Sequence, residues 1–199
     1  MREGNTYLSR IKLAYLALSN IDKDQLLSLE VFSSSLFELL YVGAVSQVEV
    51  YMKDRLELEV FDSEDNMVRY IKKFNSLNRK KRYIKYDNKK PITEKIKDRI
   101  QYTLDNNQTY HQFDIMFQYL ESVSGFDRSR CSCFAEMTDI KENRNYIIHN
   151  DSIRDEKKLR IGPSQVLEVF KISETFIEEI ETTFQEMGHK PLIDFHPDK

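Results

Sequence analysis

The stretch Ser34-Ser-Leu-Phe-Glu-Leu-Leu-Tyr-Val-Gly-Ala-Val-Ser-Gln-Val48 decides the fold. Leu36, Phe37, Leu39, Leu40, Tyr41, Val42, Ala44, Val45 and Val48 leave it almost no polar face. A helix apolar on all sides must be buried, so the pattern predicts a central helix over residues 34–59, with Ser33, Ser34 and Ser35 as candidate N-caps. Beyond Val48 the pattern turns amphipathic. Glu49, Lys53, Asp54, Arg55 and Glu57 interrupt Tyr51, Met52, Leu56 and Leu58, which predicts an end reaching towards solvent.

Outward from this helix, residues 63–75 and 92–104 carry apolar residues at helical spacing. Between them lies Arg79-Lys80-Lys81-Arg82-Tyr-Ile-Lys-Tyr-Asp-Asn-Lys-Lys90, seven cations against one Asp. A helix over 110–122 follows, with His111 at its start and Gly125 as its stop, and the next spans 131–149, ended by Asn150-Asp-Ser152. The last starts after Gly162-Pro163 with Ser164 able to cap. Its apolar residues Val166, Phe170, Ile177, Ile180, Phe184 and Met187 oppose Glu168, Lys171, Glu178 and Glu181. Gly188 stops it, and Pro191 and Pro197 make the tail irregular, with His189 and His196 in a mobile terminus. The organisation expected is an N-terminal helical extension over 1–33, a helical domain over 34–187 and an irregular tail over 188–199.

Composition agrees with helices. Five Gly and four Pro in 199 residues supply too few turns for a many-stranded sandwich or barrel, so an all-α bundle is expected. The length suits one domain. The formal charge is 30 − 33 = −3, so any nucleic-acid contact must come from local clustering. Cys131 and Cys133 are too few for a disulfide scaffold and read as reduced, structural thiols of a core helix; zinc wants four ligands, and no other Cys or His lies nearby in sequence. No metal or other cofactor is expected. The N-terminus lacks a secretory apolar stretch, and the run from Leu39 to Val45 is far shorter than the ~20 residues of a membrane span. A soluble, cytoplasmic protein without a membrane partner is expected.

The chemistry concentrates in Glu142-Asn-Arg-Asn-Tyr-Ile-Ile-His-Asn150. At about 100° per residue, Asn145 lies about 100° and His149 about 140° from Arg144, so the three share one side of a helix end. Ile140, Lys141, Ile147 and Ile148 flank Arg144 at helical neighbour positions, so no acid there neutralises it and its partner must come from elsewhere. A guanidinium in partly apolar surroundings needs a partner, and its planar donors match a carboxylate or a phosphate.

Arg144-Asn145-Tyr-Ile-Ile-His149 resembles the signature of the HEPN superfamily: an arginine, four to six residues, then a histidine, with a polar residue directly after the arginine. The placement before a hydrophilic connection and a final long helix is similar too, as is an earlier, nearly all-apolar helix bearing an acid, Glu49, on its more polar half. The likeness covers roughly residues 34–187. It implies a helical, metal-independent endoribonuclease working as a homodimer, with motifs from two protomers lining one cleft. In that picture His149 transfers protons, Arg144 clamps the phosphate, Asn145 orients His149 or donates to the phosphate, and Glu49 holds Arg144. A toxin or antiviral defence effector, paired with a cognate antitoxin or regulatory protein, is the role implied, with Tyr146 as a conceivable modification site.

Plainer readings stand beside these. His149 as a cation at a helix C-terminus and Arg144 as a bridge between helices need no substrate. Glu49 precedes Lys53 by four residues, the spacing of an ordinary surface pair. Arg79, Lys80, Lys81 and Arg82 read either as substrate-binding cations, with Tyr83 and Tyr86 to stack on bases, or as a solvated loop. The alternative for the whole chain is a non-catalytic helical module binding RNA, a nucleotide or a protein partner.

Overall fold

The computed structural model describes residues 13, 16, 30–77, 84–87, 90–106, 112–149, 153–154 and 157–192, and they form an all-α fold. The helices are α1 Glu30–Asp62, α2 Glu64–Leu77, α3 Glu94–Asn106, α4 Phe113–Ser124, α5 Phe134–His149 and α6 Pro163–Glu186, with a 3-10 turn at Arg128–Arg130 before α5. Among the described residues, extended structure is confined to two-residue strands, β1 Ile153–Arg154 and β2 Lys157–Lys158, paired antiparallel. The hydrophilic connection before the last helix is therefore a small hairpin. No helix among the described residues is long and apolar enough to cross a membrane.

The chain divides into two compact units, residues 1–51 with 130–199 and residues 52–129. In the first, α1 up to Tyr51 meets α5 and α6, and α5 also packs on α6 and on β1. Val45, Val48 and Tyr51 of α1, Met137 and Ile140 of α5, and Val166, Phe170, Phe176, Ile177, Ile180 and Phe184 of α6 are buried. Each such side chain contributes about 1.5–3 kcal/mol on burial. The Tyr41 hydroxyl donates to the Ile140 carbonyl at 3.2 Å and ties α1 to α5.

Three expectations about the ends and faces of these helices are corrected here. The first helix begins at Glu30, so Ser33, Ser34 and Ser35 lie within it and do not cap it. Helix α6 is capped by Gly162 with Pro163 at its first position, and Ser164 donates to the Gln165 side-chain oxygen that also accepts the Gly162 N–H at 3.0 Å. Glu181, assigned to the polar face, is fully buried. It lies four residues after Ile177 and three before Phe184, inside the core stripe, and its carboxylate accepts the Tyr51 hydroxyl at 2.7 Å and the Leu192 N–H at 3.0 Å.

The end of α6 is also more ordered than a loose tail. The His189 N–H reaches the Phe184 carbonyl and the Gly188 N–H reaches the Gln185 carbonyl, both at 2.9 Å, which is a Schellman motif. Gly188 supplies the positive φ of 80°. The His189 ring packs edge-on against Phe184 at 5.5 Å. Calling His189 part of a mobile terminus is thus overturned, whereas His196 lies outside the described residues.

In the second unit, Met52, Leu56 and Val60 of α1 are fully buried together with Arg55. The C-terminal half of α1 does not reach solvent as expected. Arg55 is tolerated there because Glu59, one turn on and also buried, forms an ion pair with it. Ser63 caps α2 by accepting the Asn66 N–H at 3.1 Å, while the Asn66 side chain donates to the Glu59 carbonyl at 2.9 Å. The rings of Tyr70 and Tyr119 meet tilted at 5.3 Å, and those of Phe117 and Phe126 tilted at 5.6 Å, packing α2 and the turn after α4 on α4. Gly125, at φ 79°, closes α4 as expected.

Candidate functional site

The C-terminal half of α5 is poorly covered. Only Met137 and Ile140 of this helix are buried, Arg144, Asn145, Tyr146 and Ile147 are half-buried, and Ile148 and His149 are exposed.

Arg144 receives its partner from α1. Its Nη2 lies 3.5 Å from Glu49 Oε2, with the side chains 15% and 9% exposed, so the pair is largely shielded from water. Nη1 donates to Asn145 Oδ1 at 3.2 Å. Nε is buried and has no hydrogen-bond partner among the described residues. Glu49, Arg144 and Asn145 are therefore assembled into one cluster.

Lys53 does not take the carboxylate of Glu49. It pairs instead with Asp105 at 2.8 Å, which removes the plain surface-pair reading of Glu49. His149, the last residue of α5, forms no hydrogen bond or ion pair with a described residue. It shares the helix end with the cluster without being tied to it. The candidate substrate-binding residues Arg79, Lys80, Lys81 and Arg82 lie outside the described residues, as does Tyr83.

The cysteines are placed differently from the expectation. Cys131 and Cys133 sit in the turn that leads into α5, not within a helix, and both thiols are free. The Ser132 N–H donates to Glu179 Oε2 of α6 at 2.8 Å, its hydroxyl donates to Oε1, and Cys133 Sγ lies 3.6 Å from Oε2. Burial alone would raise Glu179, but the donors of Ser132 and Cys133 outweigh it and hold the carboxylate below its usual range. The Cys-x-Cys spacing was the only trace of this cluster in the sequence, because its third member lies 46 residues further on.

No protein-family model, curated protein or solved structure matches this chain.

Proposed function

We propose that this chain is a HEPN-type endoribonuclease acting as a homodimer, with Arg144 and His149 as its catalytic pair. The observation that carries the reading is the Arg144 cluster: a guanidinium positioned by Glu49 and Asn145 on the same helix end as the exposed imidazole of His149. The Arg144 side chain keeps 15% of its surface exposed, so part of its planar fork is within reach of a phosphate oxygen.

The chemistry follows from the groups present. In RNA the ribose 2′-hydroxyl is itself a nucleophile, so the protein needs to move protons and to stabilise extra negative charge on the phosphate. His149 takes the 2′-hydroxyl proton or donates to the leaving oxygen, a role worth about 10²- to 10⁴-fold. Arg144 stabilises the phosphate. A single imidazole per chain does not serve as base and acid in one step, and a two-fold axis supplies the second. An apolar surface on the same unit supports such an axis. Leu36, Leu39 and Val50 are 44%, 69% and 45% exposed, and a side chain added at Gly43 would meet nothing. These four positions fall within about 60° of one another around α1, and Val50 directly follows Glu49. The role as a toxin or defence effector, with a regulatory partner, is carried by the resemblance.

The second reading, a binding module, is favoured by the Arg144–Glu49 pair itself, because it cancels the charge a phosphate would seek. His149→Ala separates the two. With the nuclease, cutting in excess EDTA leaves 2′,3′-cyclic phosphate ends, DNA stays intact, and the variant keeps RNA binding while cutting falls about 10²-fold or more. The assay is run where circular dichroism shows full helix content. RNA left intact in EDTA but cut on adding divalent metal would falsify this mechanism; unchanged biological effect of the variant supports the binding module.

A further inference from the structure

Cys131, Cys133 and Glu179 each offer one ligand atom, and the three atoms lie within 4.8 Å of one another. Two come from the turn before α5 and the third from α6, so their meeting is tertiary. We propose that Cys131, Cys133 and Glu179 form a site for one thiol-seeking divalent cation of the zinc class, which fastens the start of α5 to α6.

The spacing suits that ion. With Zn–S near 2.3 Å and Zn–O near 2.0 Å, a tetrahedron has S···S edges of about 3.8 Å and S···O edges of about 3.5 Å. The Cys133 Sγ to Glu179 Oε2 distance is 3.6 Å, an S···O edge already formed. Three protein ligands leave a fourth position for water, the usual pattern of an open zinc site. That position has access to solvent, since Glu179 also lines an open cleft of about 250 Å³ with Arg130, Glu178 and Thr182.

The surroundings supply the rest. Ser132 holds both oxygens of Glu179 by its N–H and hydroxyl, the kind of contact that orients a ligand carboxylate. Arg130, which lines the same cleft as Glu179, is engaged with Glu186. The α5 N-terminus directly follows Cys133 and favours negative sulfur. Without a cation the three acidic groups crowd within 4.8 Å of one another. A divalent ion takes two thiolates and one carboxylate, releases the two thiol protons to solvent, and changes no oxidation state.

The site is independent of the nuclease reading. Cys133 and His149 are separated by about 24 Å along the helix direction, so the ion takes no part in phosphate chemistry. Its test uses the full chain, reduced and stripped by chelator, titrated with Co(II). One equivalent per chain is expected to give a thiolate-to-cobalt charge-transfer band that Zn(II) abolishes. Cys131→Ser and Cys133→Ser each lose the band, Glu179→Gln binds at least about tenfold more weakly, and Glu178→Gln binds as the parent does. In the unmutated chain, one equivalent of Zn(II) slows alkylation of both cysteines at least about tenfold, a readout that no folding defect confuses. The proposal is overturned if the reduced chain shows no band while both thiols react freely, or if Cys133→Ser binds cobalt as tightly as the parent. It is equally overturned if air oxidation joins the two sulfurs and the reduced form takes no metal, which assigns a redox pair instead.

Discussion

Arg144 distributes its donors unevenly: Nη2 towards Glu49, Nη1 to Asn145, and Nε to no described acceptor. Glu49→Gln keeps the shape of the acid and removes its charge, leaving a mostly buried cation short of its partner. The expected cost is about 1–3 kcal/mol, read from urea unfolding at neutral pH. Because both residues belong to one interaction, Glu49→Gln combined with Arg144→Gln should cost less than the sum of the single changes; strict additivity would show that the two are not coupled. Lys53 and Asp105 make a separate prediction about acid. The Lys53 hydrogen bond holds the Asp105 carboxyl below the usual carboxylate range, against the opposing effect of burial. A carboxyl depressed on folding contributes stability above its unfolded pKa and loses it as the pH falls through the folded one. The contribution of this pair is therefore present above about pH 4 and fades below it. Lys53→Met is expected to raise the Asp105 pKa in a carboxyl-detected NMR titration, and an unmoved curve would reject the pairing.

Helix boundaries depend on a few residues whose backbones do what others resist. Gly188 sits at φ 80° with open space where a Cβ would stand, so Gly188→Ala meets no neighbour and pays only the left-handed backbone cost of about 1–2 kcal/mol. Gly43 is the opposite case, an exposed mid-helix glycine with equally open surroundings, and Gly43→Ala is expected to stabilise the dilute chain by about 0.5–1 kcal/mol. Opposite shifts in melting temperature check both, and equal signs would mean that the two backbones are misassigned. The same local physics made the elements readable in advance: Gly125, Gly162-Pro163 and Gly188 mark ends that the chain does use, and α2 to α6 fall close to their predicted spans. Faces were harder to read than ends. Arg55 and Glu181 look like solvent-facing charges in sequence, but each lies within an apolar stripe; Arg55 is neutralised by Glu59 one turn on, whereas Glu181 accepts the hydroxyl of Tyr51 from another helix, a partner that periodicity does not reveal. For the same reason Arg144, Asn145 and His149 stood out as a local motif, whereas the meeting of Cys131, Cys133 and Glu179 depends on how α6 packs beside the turn before α5.

At the scale of the whole molecule, the uniformly apolar start of α1 has two fates. Phe37, Tyr41, Val45 and Val48 enter the core, while Leu36, Leu39 and Val50 face outwards, with Gly43 between them. Single exposed apolar residues are ordinary on a protein surface, but a row of them along one helix face marks an interaction surface. On the dimer reading, the row meets its own copy across a two-fold axis, so every substitution acts twice. Leu39, at 69% exposure, is the sharpest probe because it contributes little to its own subunit. Leu39→Glu is expected to leave helix content and the melting temperature of the dilute chain unchanged, since nothing in the subunit is unpacked. In the dimer the change removes burial worth about 1.5–3 kcal/mol per leucine and sets two carboxylates against each other in an apolar seam. Sedimentation velocity should then show a concentration-dependent dimer in the parent and a monomer in the variant. RNA cutting should fall with the dimer, and mixing Leu39→Glu with Leu39→Lys chains should restore both together, because opposite charges replace like ones across the axis. A parent chain that stays monomeric at every concentration yet cuts RNA would remove the need for a second His149; a Leu39→Glu chain that remains dimeric and active would move the interface elsewhere.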